Sequence, residues 1–138
     1  MPSTRTETVL IVDDFEPFRR LFREKLLENG FHFHAIAEAM DGLEAVAIAG
    51  EIQPGLVLLD ISMPNLNGID AAARIRSVAP ESKVLFVSQN SDPDVIEAAL
   101  KDGAVGHVCK SALNSDFVPA IKAALAGKRF VRADFPRL

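Results

Sequence analysis

Leu56-Val57-Leu58-Leu59-Asp60-Ile61-Ser62-Met63-Pro64 is the stretch on which the reading of this chain turns. Four consecutive aliphatic residues suffice for a short strand and leave no polar position for a solvent-facing side. That is the pattern of a strand buried on both faces of a parallel sheet. The run stops on a carboxylate and enters a Pro-containing loop. Taken alone, an aspartate there is most often a turn residue. At the end of a doubly buried parallel strand, however, it also stands where ligands gather in α/β folds.

The same arrangement recurs on both sides of this stretch. Val9-Leu10-Ile11-Val12 ends in Asp13-Asp14, Val84-Leu85-Phe86-Val87 ends in Ser88, and Val105 to Cys109 ends in Lys110. Phe31-His32-Phe33-His34-Ala35 alternates and predicts a strand nearer the sheet edge. Between the runs the period becomes helical. Phe15, Phe18, Phe22 and Leu26 form one apolar stripe, closed by Gly30. Asp41-Gly42 opens a second helix, Gly68 to Ala79 forms a third that Pro80 ends, and Asp92-Pro93 caps a fourth. Asn114 or Ser115 is the expected cap of a fifth helix, which carries Phe117, Ile121, Ala124 and Leu125 and closes at Gly127. Strand and helix thus alternate five times, which implies right-handed crossovers and a three-layer, doubly wound parallel sheet. Of the two common strand orders, the flavodoxin-like 2-1-3-4-5 fits five strands best. We divide the chain into a polar segment 1–7, a domain 8–127, and a basic tail or linker stub 128–138.

Composition agrees. The chain has 138 residues, enough for one core, with 49% apolar and 25% charged residues. The net charge of −4 argues against nucleic acid as the main partner. The terminal Lys128, Arg129, Arg132 and Arg137 read as a solvated tail, so no direct DNA binding by this chain is expected. A lone Cys109 excludes an intrachain disulfide. The polar N-terminus and short apolar runs offer no signal peptide or span, so the expected location is the cytoplasm, away from membranes.

If the strands are parallel, Asp13, Asp14, Asp60, Ser88 and Lys110 converge on one rim. Each has an ordinary reading: helix cap, turn residue, loop cap, solvated lysine. As a set they are hard to explain so. Clustered carboxylates repel unless a cation intervenes, and Mg²⁺, a hard ion that keeps several waters, suits one or two carboxylates beside a phosphate oxygen. A carboxylate can attack a phosphoryl group and form an acyl phosphate. The loose transition state then needs charge stabilisation, which an ammonium and a hydroxyl supply.

Val12-Asp13-Asp14, the Leu58-to-Pro64 segment, Gly68, Ser88 and Gly103-Ala104 leading to Lys110 together resemble the receiver domain of two-component response regulators, over roughly residues 8–127. The resemblance implies that Asp60 is the phosphoacceptor. It implies that Asp13, Asp14, Asp60 and the Ser62 backbone carbonyl hold Mg²⁺, and that Ser88 and Lys110 engage the phosphoryl group. The donor would be a phosphohistidine on a sensor histidine kinase or phosphotransfer protein. Phosphorylation would switch the surface of the fourth helix, fifth strand and fifth helix, around Ile96, Lys101, His107 and Phe117, which in this family can also form a homodimer. No exogenous enzymatic activity is implied beyond self-directed phosphotransfer and autodephosphorylation.

Lys110-Ser111-Ala112 replaces the Lys-Pro of many receivers and resembles the NarL-type subgroup, whose DNA-binding domain is not expected within these residues. His107 stands where the family usually has Tyr or Phe. It is read either as a switch residue or as a half-exposed polar residue of no consequence. His32 and His34 read as surface residues. Two other classes fit the residues less well. A Mg²⁺-dependent phosphatase would want a general acid where Ser62 stands, and a flavodoxin-like cofactor binder would want a phosphate loop where Asp13-Asp14-Phe15-Glu16 stands.

Overall fold

The computed structural model describes residues 7–131. Five strands, β1 (Thr8–Val12), β2 (Ala35–Ala39), β3 (Leu56–Leu59), β4 (Lys83–Ser88) and β5 (Gly106–Cys109), alternate with five helices. The helices are α1 (Glu16–Glu28), α2 (Gly42–Ile52), α3 (Gly68–Val78), α4 (Pro93–Lys101) and α5 (Leu113–Leu125). The sheet is wholly parallel, in the order β2-β1-β3-β4-β5. The order reverses between β1 and β3, the place where an open α/β sheet parts its loops into a crevice.

Successive strand residues point to opposite faces, and the two faces form two cores. Leu10, Val12, Val57, Leu59 and Phe86 pack under α2, α3 and α4; Val9, Ile11, Leu56, Leu58, Leu85 and Val87 pack under α1 and α5. All four residues of β3 are buried, which is why its sequence shows no alternation. Each such aliphatic side chain contributes roughly 1.5–3 kcal/mol, enough in sum to carry a few costly polar groups at the strand ends.

Local signals place the helix ends. Asp41 accepts from the Glu44 amide at 2.8 Å, and Asp92 accepts from the Asp94 amide at 2.9 Å with Pro93 in the first helical turn. α1 closes in a Schellman motif. Gly30, at φ +78°, donates to Leu27, and Phe31 donates to Leu26.

That motif corrects the expected second strand. Phe31 is buried against the α1 core as the apolar partner of the helix cap, and β2 begins only at Ala35. Phe31 thus belongs to the helix cap, and pairing along β1 is taken up only from the His34 amide, which donates to Glu7 at 2.7 Å. His32 and His34 are exposed, as expected. The start of α5 is a second correction. Lys110–Ala112 form a 3-10 turn and the helix begins at Leu113, without a side-chain cap. Asn114 instead accepts from Lys25 at 3.3 Å, and the Ser115 hydroxyl donates back to the Ala112 carbonyl.

Beyond α5 the chain turns back along the outer edge of β5. Phe130 donates to Val105 at 2.7 Å and accepts from the His107 amide at 3.3 Å, while Arg129 donates to the Leu100 carbonyl at the end of α4. Lys128 and Arg129 therefore lie within the described residues, whereas Arg132, Arg137 and the segment 1–6 lie outside them. Among the described residues no helix is long and apolar enough to cross a membrane.

Candidate functional site

The parallel register brings the strand ends together. Val12 is level with Leu59, and one step beyond, the Asp60 amide donates to the Val12 carbonyl at 3.0 Å. Asp13 and Asp60 therefore emerge side by side from adjacent strands. Carboxylate oxygens of Asp13, Asp14 and Asp60 all lie within 4.8 Å of one another; Asp13 and Asp60 are buried and Asp14 is exposed. The loop after β3 is held tightly beneath them. Gly68 donates to Ile61 at 2.7 Å, and a Cβ at Gly68 would stand 1.9 Å from the Asp60 carbonyl oxygen, so only glycine allows this approach.

Lys110 reaches in from the 3-10 turn. Its Nζ lies 2.6 Å from Asp13 Oδ2 and 3.3 Å from Asp60 Oδ2, and its side chain is only 6% exposed. Asp13 Oδ1 accepts from the Phe15 amide, but its buried Oδ2 accepts no well-formed hydrogen bond, so the lysine contact there is an ion pair. Asp60 Oδ1 accepts from the Ile61 amide at 2.8 Å. Burial pushes the Asp60 carboxyl above its ordinary value; the Lys110 charge opposes this and Asp13 adds to it. Three carboxylates and one ammonium leave a net negative charge in a partly dry place. With an unsatisfied buried oxygen, that donor set fits a hard divalent cation with oxygen ligands.

The site opens into a pocket of about 600 Å³ that Asp14, Ser62, Gln89 and Asn90 help to line. Phe15 and Phe18 line it too, although their spacing in sequence reads only as a core stripe. Position in the chain carries the signal that spacing does not. Phe18 lies one helical turn beyond Asp14, so it cannot be far from the acidic end.

Ser88 and His107 form the neighbouring corner. Ser88 is 1% and His107 7% exposed, and Ser88 Oγ lies 2.9 Å from His107 Nε2. His107 is thus not the half-exposed residue that one reading expected. Burial lowers its pKa from 6.5 to about 4, so the imidazole is neutral at ordinary pH. Phe117, expected on the surface of the fourth and fifth helices, is wholly buried and stacked on Phe22, so it cannot contribute there. Ile96 is half-buried against the core and Lys101 is exposed. No peptide bond among the described residues is cis, so Lys110-Ser111 is trans.

A doubly wound five-stranded sheet with an aspartate cluster and a buried lysine at its switch point defines a class, and the comparisons name it. The chain belongs to the response regulator receiver domain family, which it matches over residues 9–122. It is a signalling module of the two-component type. It is 37% identical over 127 residues to the transcriptional regulatory protein PdtaR of Mycobacterium tuberculosis, covering 91% of this chain and 60% of that one. It is 32% identical over 123 residues to the transcriptional activator protein ExaE of Pseudomonas putida, covering 89% and 57%. The chain thus spans about three fifths of the length of these relatives.

Among solved structures it resembles a LuxR-family two-component response regulator from Aurantimonas sp. SI85-9A1, with TM-score 0.85 and 29% identity, covering 96% of this chain and 94% of that one. The response regulator domain of Thermotoga maritima CheB gives TM-score 0.76 and 30% identity, covering 88% and 98%.

Proposed function

We propose that this receiver accepts a phosphoryl group on Asp60 and passes the change to a partner through the β4–β5 corner. The observation that carries the reading is the convergence of Asp13, Asp14 and Asp60 within 4.8 Å around the buried Lys110 ammonium. An Asp60 carboxylate oxygen attacks the phosphorus of a phosphohistidine; the O–P bond forms, the P–N bond breaks, and the imidazole leaves with a proton from solvent. Lys110 balances the charge on the transferred oxygens, and the Ser88 hydroxyl donates to one of them. Attack of water on the same phosphorus releases inorganic phosphate and regenerates Asp60. Mg²⁺, held by Asp13, Asp14, Asp60 and the Ser62 carbonyl, would supply neutralisation of the phosphoryl charge.

Ser88 is also bonded to His107, so drawing its hydroxyl toward the phosphoryl group alters the packing of β5 and α4. This is a population shift between two packed states. The β4–β5 side, with Ile96 and Lys101 on α4, is the surface we assign to a partner or to a second copy of the chain. The donor class we assign is a sensor histidine kinase or phosphotransfer protein, and the compartment is the cytoplasm. The test is intact-mass measurement after acetyl phosphate and Mg²⁺. One added phosphoryl group is expected, and its persistence in Asp60→Asn would overturn the assignment.

A further inference from the structure

The Lys110 ammonium has a third neighbour besides its two carboxylates: it stands over the Phe18 ring, 4.1 Å from the centroid. Phe18 belongs to an aromatic column. Phe15 meets it edge-on at 5.7 Å, Phe22 stacks behind it at 5.8 Å, and Phe117 of α5 stacks on Phe22 at 5.7 Å. Phe22 and Phe117 are almost wholly buried, so the column is anchored in the core and delivers a fixed ring face to the pocket.

We propose that Phe18 is a positioning residue for Lys110, holding the ammonium at Asp60 through a cation–π contact while the charge on Asp60 changes. The inference rests on the reading that Lys110 stabilises the transferred phosphoryl group. Lysine is a compact charge on a flexible stem and follows the strongest local field. Here that field favours Asp13, whose oxygen is nearer by 0.7 Å (3.3 less 2.6) than that of Asp60. During transfer the negative charge moves from the Asp60 carboxylate outward onto the phosphoryl oxygens. The attraction of the ring face does not change during that step, and it acts where water is largely excluded, which strengthens it. A residue serving only as the top of the α1 core stripe needs apolar volume, which leucine supplies. A residue serving Lys110 needs the negative face of an aromatic ring.

The experiment compares rates of Asp60 phosphorylation by acetyl phosphate at fixed Mg²⁺, read by intact mass on the full chain. Phe18→Leu should slow labelling by about three- to thirtyfold, the span of a partly to fully desolvated cation–π contact. Phe18→Tyr should restore most of the rate. Stepwise fluorination of the Phe18 ring drains its face of negative charge while keeping its shape. The logarithm of the rate should therefore fall with each fluorine at an unchanged melting temperature, a response that packing alone does not produce. In a Lys110→Ala background, Phe18→Leu should have no further effect. A flat fluorine series, or an equal effect of Phe18→Leu with and without Lys110, would overturn the proposal, and the fluorine series remains decisive if Phe18→Leu folds poorly. Wild type left unlabelled would instead sink the phosphoacceptor reading, and Lys110→Ala labelled as fast as wild type would sink the role of Lys110 on which this inference rests. Neither of those outcomes depends on a Phe18 variant.

Discussion

The two corners of the pocket bury polar groups in opposite ways. At the β1–β3 corner Asp13 and Asp60 are charged groups held beside an ammonium, and Asp13 Oδ2 is ion-paired without a well-formed hydrogen bond. At the β4–β5 corner Ser88 and His107 are equally buried, yet they satisfy each other with one hydrogen bond and carry no charge at neutral pH. Burial acts alike on both, favouring the uncharged form: it raises the Asp60 carboxyl and lowers the His107 imidazole. Only the first corner has a countercharge to oppose it. The acidic corner therefore depends on cations, and the neutral corner depends on packing. On our reading the first receives charge and the second converts its arrival into movement.

The sharpest way to break this contrast is Asp60→Asn. Phosphoryl labelling should fall to nothing. Without Mg²⁺ the melting temperature should rise, because a neutral isostere escapes both the burial cost and the repulsion from Asp13. A fall in melting temperature would mean that the carboxylate is better paired than the geometry indicates.

Next comes Lys110→Met, which leaves two buried carboxylates without their countercharge. Removing one partner of a buried pair costs about 3–5 kcal/mol, so urea unfolding without Mg²⁺ should register a loss of that order. Saturating Mg²⁺ should recover part of it. By contrast Ser88→Ala should cost only about 1–3 kcal/mol, the penalty for one unsatisfied polar group. Equal losses at the two positions would erase the distinction between the corners.

The neutral corner has its own signature in pH. His107 titrates near 4 in the fold, against 6.5 when unperturbed. Between those values the unfolded chain binds the proton and the folded chain does not, so stability falls as pH drops through that window. The loss is on the order of 3 kcal/mol when complete, at 1.36 kcal/mol per unit. Asp60, whose carboxyl is raised, contributes in the opposite sense, so the measurement is the difference between wild type and His107→Phe from pH 7 to 4. A difference that does not change with pH would mean that the imidazole is solvated. This also moves the window for any effect of His107 on signalling well below the ordinary histidine value.

The effect that appears only with the ion concerns the one exposed member of the acidic corner. At a hundredfold excess over its dissociation constant, a bound ion adds about 2.7 kcal/mol to stability. Asp14→Ala should abolish that Mg²⁺-dependent gain in melting temperature while hardly changing the stability of the metal-free protein, because Asp14 is solvated there. A gain that survives intact would remove Asp14 from the metal site.

The amino-acid sequence determined the features that are local. The continuous apolar runs of β1, β3 and β4 declare strands covered on both sides, since no water-facing position is left in them. Their terminal Asp13, Asp60 and Ser88 follow directly, and parallel strands must bring those ends to one rim. Asp41, Asp92 and Gly30 mark helix ends because capping is settled within a few residues. Tertiary structure decided what depends on a distant partner. Phe31-His32-Phe33-His34 has a strand's alternation, but Phe31 is claimed by the α1 core, so β2 forms instead from Ala35–Ala39 alongside β1. Asn114 looks like a cap and is drawn to Lys25 instead. His107 carries no sign in sequence of which way its ring faces; Ser88, nineteen residues earlier, settles it. Phe18 is one more residue of an apolar stripe until the 3-10 turn after β5 sets the Lys110 ammonium over its ring. Period and capping are properties of a few adjacent residues. Burial, charge pairing and ring contacts belong to residues brought together only when the sheet closes.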